Sequence, residues 1–443
     1  MEKLLKLNNR VAVEKISPDE CIFLIDGLKN AIFIPQDEEF CKIIANLTGQ
    51  GIEKDSINII SSDIHRKRAH EFIKSLEFHG FVDYDLKLDC GIKVQICPCK
   101  QNFQFPVMKN GHVNKLLISN HTFSRYSNEA VILENPLSTF KLCIKDVFFN
   151  LQSFLENQKA FNELLSILLA GGFVTESESD YCECEWEFHD LLFHTRSRLG
   201  MADDSSNLGG TYRFKPDNIG VHNEFKDYQN KIYFLFDLPV QGAKGNKTDL
   251  FELLQTRKSS RSFSKDKSLS YDQIGEFLFH SAKIIYSIPQ NGHLDFVKRA
   301  FPSAGGIHDL EFYLLINRSG SLKRDIYYYH PQKHGLYQLQ VKNKYLDKIT
   351  QNAVVALGSI EEEPPVIVIL TSRFMKMRSK YERIAYRNTI LSVGAAIQTM
   401  YLTGAAMNLS TCALGSGNPA LFAEAIGVDP LEECAVGEFV LGP

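Results

Sequence analysis

Apolar positions follow two different rhythms along this chain. In the N-terminal part, Ile22-Phe23-Leu24-Ile25-Asp26-Gly27-Leu28 is echoed by Val131-Ile132-Leu133-Glu134-Asn135-Pro136-Leu137. A further apolar stretch follows each, and then a helical spacing: Phe40, Ile43, Ile44 and Leu47 in the first copy, Phe148, Leu151 and Leu155 in the second. Each copy then runs through another helix into Gly80-Phe81-Val82 or Gly172-Phe173-Val174. Two short strands, two helices and a closing strand, repeated, predict tandem winged-helix-like units over residues 1–90 and 91–184.

Residues 185–245 read as a connector. It opens on an amphipathic helical stretch, Trp186 to His194, and passes into a polar, glycine-containing run, Asp203 to Gly210. Over 246–443 the rhythm is that of a sheet covered by helices. Asp249–Arg257 and Tyr271–Ala282 are helical, Glu311–Ile316 is a strand, and Asp325–Tyr329 pairs with it. Tyr327, Tyr328 and Tyr329 alternate across that strand and are expected half in the core and half at the surface. Pro365–Leu370 is apolar throughout, as in a central strand covered on both faces. A long helix over about 376–408 and a last strand, Ala435–Leu441, complete an α+β chain.

Composition narrows the function classes. The 443 residues are 23% charged and 44% apolar, an ordinary soluble globular profile with length for two to four domains. A formal charge of −4 excludes a strongly basic nucleic-acid coat. His65-Arg66-Lys67-Arg68 opens the second helix of the first repeat, but the second repeat has Asn162-Glu163-Leu164-Leu165 there. A DNA reader needs basic side chains facing phosphates in each such helix, so a peptide-binding or scaffolding role fits better than nucleic acid. Asn388–Ala423 carries no charge, but Thr389, Ser392, Gln398, Thr399 and Thr403 interrupt it, and Gly394-Ala395-Ala396 and Gly404-Ala405-Ala406 suit close packing. That predicts a helix buried in a core or subunit interface, with no membrane span. Residues 1–20 hold no unbroken apolar stretch, and ten cysteines are too sparse for a disulfide scaffold; both fit a cytoplasmic protein.

Three clusters in the second half carry chemistry. Arg257-Lys258-Ser259-Ser260-Arg261 places two guanidiniums and a hydroxyl on one side of an extended segment, a set that grips phosphate. Pro302-Ser303-Ala304-Gly305-Gly306 precedes a strand; its small residues let backbone approach a flat ring and hydrogen-bond its polar edge. Lys380-Tyr381, with Arg383, Tyr386 and Arg387, is expected to open the long helix, both side chains lining a pocket at its first turn.

In this order and spacing the clusters resemble the nitroreductase-like flavin fold, and within it the SagB/ThcOx-type azoline dehydrogenases, the thiazoline oxidases of cyanobactin-like pathways. Gln398–Leu402, Cys412–Gly417 and Val436–Gly442 also match, as do Trp186–Asp190, Ser197-Arg198 and Gly209–Arg213. The resemblance covers roughly 185–443 and implies a C-terminal FMN domain preceded by peptide-recognition-element-like winged helices. The implied activity is FMN-dependent oxidation of thiazoline or oxazoline rings in a ribosomally made, modified peptide, with dioxygen as electron acceptor. Arg257, Ser259 and Arg261 would hold the phosphate and ribityl chain, Pro302, Ser303, Ala304 and Gly305 the isoalloxazine edge, and Leu414 and Gly415 the region near N5. Many relatives place a basic residue near the C-terminus on the phosphate. Here no Lys, Arg or His follows Arg387, so either Arg257 and Arg261 carry that charge or Arg387 reaches it.

The ring becomes aromatic by losing its Cα proton and a hydride from the adjacent CH₂, so a base is needed beside the hydride acceptor. The resemblance assigns the proton to Lys380 and Tyr381. A lysine at ~10.4 is no base at neutral pH, so either neighbouring cations such as Arg383 and Arg387 activate Lys380, or Tyr381 is the base and Lys380 lowers its pKa. Related folds bind FMN between two subunits, which implies a homodimer acting on an azoline-containing peptide. An alternative within the fold is an NAD(P)H-dependent nitro or quinone reductase; a winged-helix regulator with a vestigial flavin domain is a third. Cys97/Cys99 and Cys182/Cys184 lack the usual C-x₂₋₄-C zinc spacing and are expected as plain thiols, with no metal. Cys412 is expected in the core, and His308 either touches substrate or is a satisfied structural histidine.

Overall fold

The computed structural model describes residues 2–8, 11–17, 20–25, 28–33, 38–60, 62–89, 91–99, 103–106, 116–127, 130–145, 157–175, 187–197, 225–238, 249–289, 295–358, 362–381 and 383–443. By packing, the chain divides into two units, residues 1–215 with 382–384, and residues 216–381 with 385–443.

In the first unit, β1 (Glu2–Leu7) is followed by β2 (Val11–Ser17), β3 (Glu20–Ile25) and β4 (Leu28–Phe33), which form their own antiparallel sheet. Next come α1 (Glu38–Thr48) and α2 (Asp63–Phe78), the latter capped by Ser62, whose hydroxyl accepts from the His65 N–H. After α2 the chain forms β5 (Val82–Lys87), β6 (Lys93–Pro98), β7 (Leu117–Ile118), β8 (Phe123–Ser127), β9 (Ala130–Glu134) and β10 (Phe140–Lys145). Then follow α3 (Gln158–Ala170), β11 (Val174–Thr175) and α4 (Phe188–Arg196). A six-stranded sheet in the order β1-β5-β6-β10-β9-β8 backs a core containing Leu5, Leu47, Ile57, Ile73, Ile96, Leu142 and Ile167. The helical spacing of Phe40–Leu47 is thus α1, and the basic run His65–Arg68 lies in the first turns of α2. Phe148, Leu151, Leu155, Trp186, Arg198, Gly209–Arg213 and Cys182/Cys184 lie outside the described residues. Cys97 sits on β6 with its Sγ 3.9 Å from Cys143 Sγ.

The second unit is a seven-stranded antiparallel sheet between two helical layers. Its elements are β12 (Tyr233–Leu235), α5 (Leu250–Thr256), α6 (Tyr271–Ser281), β13 (Tyr286–Ile288), β14 (Phe296–Lys298), β15 (Leu310–Ile316), β16 (Asp325–His330), β17 (Gly335–Gln338) and α7 (Asn343–Ala356). β18 (Val366–Ser372), α8 (Phe374–Lys380), α9 (Ala385–Ala406), β19 (Ser410–Leu414), α10 (Pro419–Ile426) and β20 (Cys434–Gly442) follow. The sheet order is β12-β17-β16-β15-β18-β20-β19. On one face Phe312, Leu314, Tyr327, Tyr329, Val368 and Phe439 pack with Phe277 and Leu278 of α6 and Ala396 and Met400 of α9. On the other, Tyr313, Tyr328, Ile367, Ile369 and Val440 pack with Leu346 and Ile349 of α7 and Phe422 of α10. The apolar run of β18 is central, between β15 and β20, as its composition predicts.

Two expectations are corrected. Tyr327, Tyr328 and Tyr329 are all fully buried, because helices cover both faces of β16. The expected helix over 376–408 is two helices. The Ser379 hydroxyl donates to the Lys376 carbonyl, Tyr381 turns to extended backbone (φ −114°, ψ 150°), and α9 starts afresh at Ala385. A serine bonding back to the helix in this way weakens the ladder near its end. Lys380 and Tyr381 therefore close a short helix instead of opening a long one. Among the described residues no helix is long and apolar enough to cross a membrane.

Candidate functional site

Backbone geometry builds one half of the site. After Pro302 and Ser303, residues Ala304–Gly306 make a single 3-10 turn in which Gly305 (φ +60°) and Gly306 (φ +68°) are left-handed. Such angles disfavour any side chain, and here there is no room for one. A Cβ on Gly306 would lie 2.5 Å from the Phe296 ring; a Cβ on Gly305 would lie 2.5 Å from Lys380 Nζ and 2.9 Å from Tyr381 Oη. Lys380 Nζ donates to the Gly305 carbonyl at 3.4 Å. The break between α8 and α9 thus delivers both side chains onto the Pro-Ser-Ala-Gly-Gly turn. Ala304 and Tyr381 pack there with Ile307, Met377 and Ala385 in a small apolar cluster of their own.

The turn is also pinned to α9. Ser303 Oγ accepts from the His308 N–H at 3.2 Å and from Ser392 Oγ at 3.4 Å. His308 is buried, edge-on to Phe301 with ring centroids 5.2 Å apart, and burial holds its pKa down at about 3. Its ring Nδ1 is buried without a hydrogen-bond partner among the described residues, so it is not the satisfied histidine of one of the two readings. Behind the pair, the Lys376 ammonium is buried and pushed down to about 8 by desolvation, with Glu311 opposing the shift.

The other half forms around Tyr401 of α9. Ser259 Oγ shares a 2.8 Å hydrogen bond with Tyr401 Oη, which also accepts from the Ala413 N–H at 2.7 Å. The Arg257 guanidinium lies over the Tyr401 ring, 5.0 Å from its centroid, and the Ser260 N–H donates to the Thr411 carbonyl at 2.8 Å. Arg257, Ser259 and the Ala413–Gly415 end of β19 are thereby gathered, with open space beside Gly415; Arg261 is exposed nearby in sequence. Tyr401, quoted in the sequence only within a longer match, is the organising residue of this half. Cys412 is buried beside it, in the core as expected.

The two halves meet different stretches of α9, one at Ser392 and the other at Tyr401. Tyr401 follows Ser392 by nine residues, about 14 Å along α9 and roughly 180° around it. Arg387, on the first turn of α9, is about 21 Å along the helix from Tyr401.

Residues 254–442 match the sequence model of the nitroreductase family, and residues 147–203 match that of the cyanobactin oxidase ThcOx. The C-terminal part is nitroreductase-like, and the resemblance to SagB/ThcOx-type enzymes holds. A protein named as a nitroreductase from Methanocaldococcus jannaschii is 21% identical over 121 residues, 27% of this chain. The match takes in 58% of that relative's length. Among solved structures, an Escherichia coli microcin synthetase McbBCD complex with truncated pro-MccB17 bound is similar at a TM-score of 0.36 and 16% identity, over 53% of this chain and 80% of that one. A protein from Exiguobacterium sibiricum named as a nitroreductase, solved in complex with FMN, is similar at a TM-score of 0.31 and 12% identity, over 44% of this chain and 88% of that one.

Proposed function

We propose that this nitroreductase-like, ThcOx-related protein uses FMN to oxidise thiazoline or oxazoline rings in a ribosomally made, modified peptide to thiazole or oxazole, with dioxygen as electron acceptor. The observation that carries the reading is the Lys380–Tyr381 pair held against the left-handed Gly305 of the Pro-Ser-Ala-Gly-Gly turn.

The residues present fit such a cofactor. Arg257 and Arg261, the Ser259 hydroxyl and the extended backbone between them form a phosphate-binding donor set. Gly305 is exposed and carries no side chain, so backbone at this point of the turn can approach a flat ring, while Gly306 is buried against Phe296. Bound FMN would supply the hydride acceptor. The chain's own task is then to orient the azoline and to remove its Cα proton, at Lys380 Nζ or Tyr381 Oη. Both atoms lie against the same glycine, so either can meet a ring laid along the turn.

The placement of the two halves favours a homodimer. Because the two halves meet α9 at separate points, Ser392 and Tyr401, a twofold pair can set the Arg257–Ser259–Leu414 half of one protomer against the turn and Lys-Tyr pair of the other. Arg387 would then serve its partner's site, if it touches cofactor at all. Exposed apolar side chains on the relevant helices, Leu250 and Phe251 on α5 and Ile390 and Leu391 on α9, supply the surface such a pair would bury. In the first unit, β4, which among the described residues pairs on one side only, with β3, is suited to take a leader segment as an added strand. Deleting residues 1–180 should then slow turnover of a full-length substrate and spare a leaderless one.

The test compares azoline peptide and nitroaromatic plus NAD(P)H on the same purified protein. Loss of ~2 Da per ring under air, retained flavin spectrum and loss of turnover in Lys380→Ala and Tyr381→Phe support the oxidase. NAD(P)H-driven nitro reduction with no mass change in the peptide supports the reductase and overturns it.

A further inference from the structure

Asp309 lies just past the Pro302–Gly306 turn and immediately before β15, and it is fully buried. Its Oδ2 accepts from Ser372 Oγ at 2.5 Å, at the end of β18, and from Thr389 Oγ1 at 2.8 Å, in the first turn of α9. Its carbonyl accepts from the Arg373 N–H at 2.9 Å, and Arg373 is the N-cap of α8. One aspartate therefore ties the turn to the strand before α8, to the start of α8 and to the start of α9. Lys380 is the last residue of α8 and Tyr381 its C-cap, leading into the short segment before α9.

The remaining contacts close a loop. Four residues before Asp309, Gly305 meets Lys380 and Tyr381; seven residues before Lys380, Arg373 is bonded to Asp309. Ser303 is fixed to Ser392, three residues along α9 from Thr389 and so on the same face of the helix. The hydroxyls that interrupt the charge-free helix thus have a use: Thr389 and Ser392 hold the two ends of the turn.

We infer that Asp309 is the positioning residue that sets the Lys380–Tyr381 pair over the Gly305 turn. The inference rests on the assignment of that pair as the proton-transfer groups. Asp309 touches neither ring nor proton; it fixes where the pair stands. Removing its carboxylate cuts the side-chain ties to Ser372, just before the α8 N-cap, and to Thr389 of α9, while the backbone bond to Arg373 remains; the segment carrying the pair is then less firmly held, and a catalytic group moved by ~1 Å loses about a hundredfold in rate.

The experiment uses the FMN-loaded full chain with Asp309→Ala, Asp309→Asn and Thr389→Val, with azoline-peptide kinetics and crystal structures. Asp309→Ala should lower kcat by ~100-fold with KM and the flavin spectrum little changed. Asp309→Asn, which keeps an acceptor oxygen, should recover most of that loss, and Thr389→Val, which deletes one hydroxyl, should cost less than Asp309→Ala. In the Asp309→Ala crystal, Lys380 Nζ should leave the Gly305 carbonyl by more than ~1 Å. An alanine variant with wild-type kcat and an unmoved Lys380 overturns the inference. So does one in which kcat, flavin binding and melting temperature fall together in all three variants, since that marks a merely structural role. If wild type itself leaves azolines untouched, the functional reading fails, while the position of Lys380 in the variant crystal still decides the role of Asp309.

Discussion

Replacing Gly305 by alanine should separate catalysis from stability at a single atom. At φ +60° an L-residue pays about 1–2 kcal/mol for the left-handed conformation. The new methyl would meet Lys380 Nζ at 2.5 Å and Tyr381 Oη at 2.9 Å, where ordinary contact begins near ~3.5 Å. The lysine end is flexible, so it yields at little energetic cost, but it yields by about 1 Å, enough to cost about a hundredfold in kcat. Stability should fall only by the backbone term, a drop in Tm of ~2–8 °C for a unit of this size. Azoline turnover by mass spectrometry, beside thermal unfolding of the flavin-loaded protein, reads both quantities. A variant with near-wild-type kcat would refute the idea that the pair works from its place on this glycine. A variant with a much larger loss of Tm would show that the turn bears on the core instead.

Other consequences follow from the same geometry. Tyr401→Phe deletes the oxygen shared by Ser259 and the Ala413 N–H, so FMN affinity by fluorescence titration should weaken about tenfold; unchanged affinity would remove Tyr401 from the phosphate half. Phe251→Asp with Leu391→Asp should convert a dimer to monomers by light scattering and release flavin together; flavin-bound monomers would contradict the shared site. Burial pushes the Glu438 carboxyl up to about 7, partly offset by the Asn418 N–H. An unfolded glutamate titrates near ~4.3, so the folded form holds its proton where the unfolded form does not. Stability from this group is complete below ~4.3 and is lost as pH rises through about 7. Tm should therefore decline over that interval and level off above it, and Glu438→Gln should flatten the profile. Asp83 in the first unit, likewise pushed up to about 7 by burial, has the same sign.

The sheet of the second unit was legible because its strands are unambiguous: β18 is apolar on both faces, and β15, β16 and β20 carry runs that no surface helix would. The burial of all three tyrosines of β16 was not, since alternation reports a strand's period and not whether a second layer covers its outer face. The break at Tyr381 was hidden for another reason. No strong helix breaker stands at Ser379-Lys380-Tyr381; the Ser379 bond back to the Lys376 carbonyl and the seat of Lys380 on Gly305, 75 residues away, exist only in the folded chain. Arg257, Ser259, Gly305, Lys380 and Tyr381 could be singled out by residue type and order, but that the first two gather on Tyr401 and the last three on one another could not. Asp309 meets Ser372 across 63 residues and Tyr401 meets Ser259 across 142, distances at which a single chain's spacing is silent.

Anaerobic mixing of the purified protein with an azoline-containing peptide puts the dehydrogenation to its plainest trial. The yellow flavin band should bleach without any NAD(P)H, return on admitting air, and leave a peptide lighter by ~2 Da for each ring oxidised. A band that stays unbleached by the peptide yet is discharged at once by NAD(P)H would contradict the assignment.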